Sequence, residues 1–162
     1  MTISIDLKGV EYTLATAVGH TPVAPNQMGG RVRMAYFTYT TPATTGVTDG
    51  QNIGVAVIPK GARILGGKLE CEAMGTTAAV DIGLKGNDNT GYIDADDSVA
   101  DDDDLFLAAG DISSAASLTF ADTIARNYGY ETEKEVVLVL TAETANWAAE
   151  KDLYGHIEYV VD

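Results

Sequence analysis

The sequence predicts an all-β domain, an antiparallel sandwich or barrel. Six to nine short segments alternate apolar with polar residues or are rich in β-branched and aromatic ones, whereas the 3.6-residue period of an amphipathic helix is scarce. Glycine is plentiful, 17 of 162 residues, and often punctuates those segments. At 17.0 kDa the chain suits a single domain able to bury a real core.

The elements follow in order. Thr16 to Gly30, "TAVGHTPVAPNQMGG", has neither strand nor helix periodicity and contains two prolines and three glycines. We read residues 1–30 as an extended N-terminal arm and 31–162 as the β domain. "RVRMAYFTYT" opens that domain as a strand, with Val32, Met34 and Tyr36 on one face and Arg33, Ala35 and Phe37 on the other. "IGVAVI" (Ile53 to Ile58) is a second, nearly continuous apolar strand. Ile58-Pro59-Lys60-Gly61 fits a type I turn, with proline at the second position and glycine at the fourth. It reverses the chain or carries it from one sheet to another. A phosphate-cradling loop would need G-x-x-x-x-G-K-[ST] or G-x-G-x-x-G opening a helix, and neither pattern is present.

"ILGGKLECEA" places Leu65, Leu69 and Cys71 on one face and Lys68, Glu70 and Glu72 on the other, with Gly66-Gly67 marking a bulge or a close backbone approach. "AAVDIGLKG" alternates Val80, Ile82 and Leu84 with Asp81, Gly83 and Lys85. "KEVVLVLT" and "LYGHIEYVV" supply the last two strands. Between them, Thr141 to Asp152 reads as a helical turn or two, or as a long hairpin loop.

Charge excludes several functions. The net charge is −14, and eight aspartates lie between Gly86 and Leu105 (88, 94, 96, 97 and 101 to 104) with no lysine or arginine among them. This balance repels a phosphate backbone and an anionic membrane surface, so no nucleic acid and no membrane is expected as partner. No apolar run approaches the length of a membrane-spanning helix, and no signal peptide is visible at the N-terminus. Synthesis in the cytoplasm is the expectation. Cys71 is the only cysteine, which rules out an internal disulfide, and its alternation with Leu65 and Leu69 marks it as a small core residue.

The acidic run "DADDSVADDDDL" supplies the carboxylate oxygens that calcium takes. Aligned from Asp94, however, an EF-hand loop would put Val99 where glycine is needed and Leu105 where the bidentate glutamate belongs. A looser calcium site drawn from Asp94, Asp96, Asp97, Asp101 and Asp103 stays open beside the alternative of a solvated, self-repelling loop. No other cofactor and no small-molecule substrate is expected. No catalytic residue is assigned. His20 lies in the arm, and His156 shares a strand face with Glu158, an arrangement more typical of a solvated pair than of a catalytic one; neither a G-x-S-x-G elbow nor an H-E-x-x-H helix occurs. Tyr36, Phe37, Tyr39, Tyr128, Tyr130, Trp147, Tyr154 and Tyr159 offer either core-edge and subunit packing or a sugar-stacking platform.

"GVAVIPKGARILGGKLECEA", "TTAAVDIGLKGND" and "NYGYETEKEVVLVLTAETANWAAEKDLYGHIEYVV", preceded by "GGRVRMAYFTYT", resemble small structural proteins of tailed-bacteriophage virions, of the capsid decoration (cement) or head fibre-base type. The likeness spans roughly Gly30 to Val161 and rests on turn and strand patterns. It implies a jelly-roll-like β-sandwich without enzymatic activity. It also implies a homotrimer on the virion's capsid surface that binds the major capsid protein lattice and stabilises the head. Five of the ten basic residues, Arg31, Arg33, Lys60, Arg63 and Lys68, are the expected contacts with an acidic capsid or with neighbouring subunits. The alternative is a carbohydrate-binding or host-adhesion module on a head fibre or tail.

Overall fold

Val80, Ile82 and Leu84 alternate with polar or small residues in the sequence, and the strand that they form buries all three completely. The same logic builds the molecule, whose computed structural model describes residues 31–161; the arm read at residues 1–30, with His20, lies outside them. The strands are β1 (Arg31–Thr40), β2 (Asn52–Ile58), β3 (Ala62–Cys71), β4 (Ala79–Gly86), β5 (Asp102–Asp111), β6 (Ala116–Phe120), β7 (Val136–Glu143) and β8 (Asp152–Val161), with one short 3-10 turn at Ile124–Arg126. None of the described residues forms a helix long and apolar enough to cross a membrane.

Two antiparallel sheets result, ordered β1-β8-β3-β6 and β2-β7-β4-β5. Each strand pairs with its counterpart counted from the other end of the series: β1 with β8, β2 with β7, β3 with β6 and β4 with β5. The chain is therefore one long hairpin with its tip between β4 and β5, rolled up so that β8 also meets β3 and β7 also meets β4. This is the jelly roll, a double-sheet sandwich. Its core lies between the sheets, where the Phe106 ring sits 6.5 Å from Phe120 and meets Tyr130 edge-on at 6.2 Å. Each such large side chain contributes about 1.5–3 kcal/mol by leaving water.

The topology sorts the loops. Residues 59–61, 87–101 and 121–135 gather at the end where β1 begins and β8 finishes, because Arg31 is in register with Val161 and Val161 with Ala62. Residues 41–51, 72–78, 112–115 and 144–151 form the other end. There Trp147 is buried, its Nε1–H donates to the Ala79 carbonyl at 2.9 Å, and its backbone bridges to Val47.

Several local expectations need correction. The pairing of β3 with β8 slips between Ile64 and Gly66, so Ile64, not Leu65, joins Leu69 and Cys71 in the core. The turn after β2 sits one residue later than read: Ala62 N–H donates to the Pro59 carbonyl, and Gly61 takes the third position with φ +76°, a left-handed conformation that glycine adopts without strain. It crosses from one sheet to the other. Buried Thr132 holds it there: its hydroxyl donates to the Pro59 carbonyl at 2.7 Å and accepts from Ala62 N–H at 2.9 Å. Of the two readings left open for Thr141 to Asp152 the loop holds and the helical turn does not: β7 runs on to Glu143 and a loop follows. The acidic run is only partly a loop, since Asp102, Asp103 and Asp104 begin β5.

Candidate interaction surfaces

The chemistry-bearing residues do not converge. His156 Nε2 lies 3.7 Å from Glu158 Oε1, but on the outward face of β8, with the imidazole packed 5.6 Å from the Tyr36 ring. Cys71 is buried, and burial pushes its thiol pKa up, away from thiolate chemistry. A shallow groove lined by Thr76, Thr77, Ala109, Asp111, Ser113 and Thr144 opens at the opposite end of the sandwich from the acidic loop.

The five aspartates considered for calcium do not converge on one point: Asp94 and Asp96 meet, and the other three have separate partners. Asp94 is buried; burial alone would raise its pKa, but hydrogen bonds from the Ser98 hydroxyl, the Val99 backbone, the Asp96 side chain and the Ser98 backbone outweigh this and hold it well below the usual carboxylate range. Asp96 is exposed. Asp97 faces Lys134 Nζ at 3.4 Å, as does Asp88 at 3.1 Å. Hydrogen bonds from Thr90, and then from Lys134, lower the Asp88 pKa to about 2. Asp101 accepts the Gly86 N–H at 2.9 Å. Asp103 reaches Asn52 and Thr141, each at 3.4 Å. Among the described residues, no three His, Cys, Asp or Glu side chains are placed to hold a metal ion. Lys134, which organises this loop, was not singled out in the sequence.

Of the five cations, Arg31, Arg33, Lys60 and Arg63 stand at one end of the first sheet, where β1 and β3 begin, but Arg31 and Arg33 lie on the side of β1 that carries Ala35 and Phe37, and Arg63 on the outward side of β3. Arg63 is 3.9 Å from Glu131, both well exposed. Lys68 stands farther along, in register with His156, and is paired with Glu70. The acidic loop occupies the same end of the molecule but belongs to the other sheet. The two charges therefore face apart by about one sheet spacing, roughly 10 Å, and not across the whole molecule.

The two outer faces of the sandwich differ more sharply. On β1-β8-β3-β6 the outward residues include Val32, Tyr36 and Tyr154, which are 59%, 58% and 52% exposed. Met34 lies between the first two, and the Tyr36 hydroxyl reaches its sulfur at 3.5 Å. Charges on this face are paired locally. The Lys68 ammonium, and then the Tyr154 hydroxyl, hydrogen-bond Glu70 and lower its pKa.

On β2-β7-β4-β5 the outward residues Val139 and Thr141 are only 3% exposed each, because the chain covers them itself. Ile82 pairs with Leu107 and Leu84 with Asp102, so one residue of β4, Gly83, faces four of β5. The surplus passes over Gly83 so closely that a Cβ there would lie 2.0 Å from the Asp102 carbonyl oxygen. Asp81 accepts the Ala109 N–H at 2.6 Å. Burial raises the pKa of both Asp81 and Asp102, Asp81 next feeling its hydrogen bond with Ala109 and Asp102 its contact with Asp104. The aromatic set divides accordingly: Trp147 and Tyr159 are buried, whereas Tyr36 and Tyr154 share the open face.

No protein-family model and no curated protein matches the chain. Solved structures do. A chain in the capsid of Ralstonia phage GP4 superposes with a TM-score of 0.63 at 18% identity, covering 82% of this chain and 86% of that one. A chain in the cyanophage Pam1 capsid asymmetric unit gives 0.61 at 19% identity, covering 91% and 96%. The likeness is one of fold, and it covers more than four-fifths of each chain compared.

Proposed function

We propose that this chain is a structural protein of a bacteriophage virion, without enzymatic activity, that decorates the head. It binds the lattice of the major capsid protein at the capsid surface as a homotrimer and stabilises the shell. The observation that carries this reading is the jelly roll, shared over more than four-fifths of both chains with components of two phage capsids. The open outer face supports it, since exposed apolar residues grouped on one sheet mark an interaction surface. Arg31, Arg33, Lys60 and Arg63 offer a basic end for an acidic capsid surface, and Lys68, although paired with Glu70, lies on the face beside it.

The test is made on purified particles of the phage that encodes the chain. The protein is expected on the heads in a fixed ratio to the major capsid protein, and its removal is expected to lower the temperature at which heads rupture. Absence from purified particles would overturn the reading. Reversing charge at Arg31, Arg33 and Arg63 is expected to weaken attachment by tenfold or more; unchanged attachment would remove those residues from the interface. One observation favours a second reading, the carbohydrate-binding module: Tyr36 and Tyr154 lie on one flat face, as a sugar platform requires. Saturable binding on a glycan array, lost in Tyr36→Ala, would establish it.

A further inference from the structure

Strained backbone from three segments meets at one groove. Among the described residues eight non-glycine residues have positive φ, and two of these are β-branched, Thr77 at +63° and Thr144 at +70°. Left-handed backbone crowds a branched side chain, so a threonine there is an outlier. Thr77 stands third in the turn that Ala78 N–H closes on the Gly75 carbonyl at 3.2 Å, a position that glycine or asparagine usually fills. Thr144 is the centre of a three-residue γ-turn, in which Ala145 N–H donates to the Glu143 carbonyl at 2.8 Å; with positive φ this turn is rare and strained. Both threonines line the groove at the end of the β2-β7-β4-β5 sheet, and so does Ala109, with φ +48°. Strain of this kind gathers at ligand sites, where the fold gives up stability for geometry.

The lining says what fits. The groove has a volume of about 560 Å³, ample for a small molecule. Thr76, Thr77 and Thr144 offer it hydroxyls, none of which bonds to another described residue. Asp111 Oδ1 accepts the Ser113 N–H at 2.9 Å, and this bond, followed by one from the Ser113 hydroxyl, lowers the Asp111 pKa and keeps an ionised acceptor at the rim. The rest of the lining is alanine, Ala78, Ala79 and Ala109. Ala79 is in register with Asp111 on one side and Glu143 on the other, and no lysine or arginine lines the groove, so anions are repelled. An ammonium group suits the carboxylate, but it only donates and gains nothing from the methyl groups. A pyranose matches the whole lining: its C–H face meets alanine, and its hydroxyls donate to the carboxylate and both donate to and accept from threonine.

We propose that this groove binds a neutral sugar residue, held by Asp111 from the β5 side and by Thr77 and Thr144 from the starts of the loops beside β4 and β7. The site lies at the opposite end of the sandwich from Arg31, Arg33, Lys60 and Arg63, so a copy attached through those residues presents it outward. Neither that attachment nor the tyrosine platform on the other sheet is needed for it.

The experiment uses the full chain and saturation-transfer NMR with glucose, galactose, mannose and N-acetylglucosamine at millimolar concentration, with thermal unfolding of the same samples. At least one of the four sugars is expected to bind saturably. Asp111→Asn keeps the side-chain shape and is expected to weaken that binding about tenfold or more. Thr77→Gly and Thr144→Gly are each expected to weaken it about threefold or more, and to raise the melting temperature by about two degrees because strain is released. Tyr36→Ala is expected to bind the sugar as the wild type does. Failure of all four sugars, binding that survives Asp111→Asn or is lost in Tyr36→Ala, or a sugar displaced by butylamine would overturn the inference. So would glycine variants that melt lower than the wild type, because the threonines would then serve the fold alone.

Discussion

The two outer faces of this sandwich start from the same plan, four antiparallel strands each, and end differently. One is closed by its own chain, because β5 carries extra residues that fold over Gly83, Val139 and Thr141. The other leaves Val32, Tyr36 and Tyr154 in solvent. A closed face adds to stability, whereas the proposed role of the open one is contact, so equal changes made on the two should register in different measurements.

The largest expected effect is on the closed face. Gly83→Val places side-chain atoms where the Asp102 carbonyl already lies and is expected to cost about 3 kcal/mol, read from urea unfolding. A cost under 1 kcal/mol would show that the acidic segment lifts away freely. Next, Thr141→Val removes the hydroxyl that accepts from Asn52 at 2.8 Å under that cover, for about 1–2 kcal/mol. Tyr154→Phe on the open face, by contrast, is expected to shift stability by less than about 0.5 kcal/mol.

Opposite signs with pH sharpen the comparison further. The Asp102 pKa is raised in the fold above its ordinary value of 3.8, so its ionisation opposes folding: the penalty is present above the folded pKa and vanishes as pH falls below 3.8. Asp102→Asn is therefore expected to raise the melting temperature at pH 7, with the gain disappearing in acid. Glu70 is lowered from 4.5, so its ionisation favours folding above 4.5, and the benefit is lost as pH falls through the folded value. Glu70→Gln is expected to lower the melting temperature at pH 7 and to match the wild type in acid. Differences of the same sign for the two variants would break the comparison. The smallest effect is expected from calcium: at millimolar concentration it should leave the melting temperature unmoved, because Asp94, Asp97 and Asp101 are separately engaged. A rise of several degrees would show that the loop rearranges to bind the ion.

The plan of the fold was legible because its main signals are local. Alternation at Val80, Ile82 and Leu84, the proline-glycine corner after Ile58 and the break at Gly66 all act within a few residues. The five residues of β6, "ASLTF", carry too little pattern to stand out, and aspartates at the head of β5 argue for a loop because aspartate is depleted in strands. Thr132 and Lys134 escaped notice for another reason: their partners, Pro59 and Asp88, lie 73 and 46 residues away. The apolar run "VVLVL" signals burial on both faces of β7, but no sequence pattern names the segment that supplies the outer cover.

The most direct test is hydroxyl-radical footprinting of the full chain with mass spectrometry, from dilute protein to assembled oligomer. The account predicts that Met34, Tyr36 and Tyr154 are oxidised readily when dilute and protected on assembly, whereas Val139 stays protected throughout. Protection that appears instead around Asp81 and Asp103, with Tyr36 and Tyr154 equally reactive in both states, would contradict it.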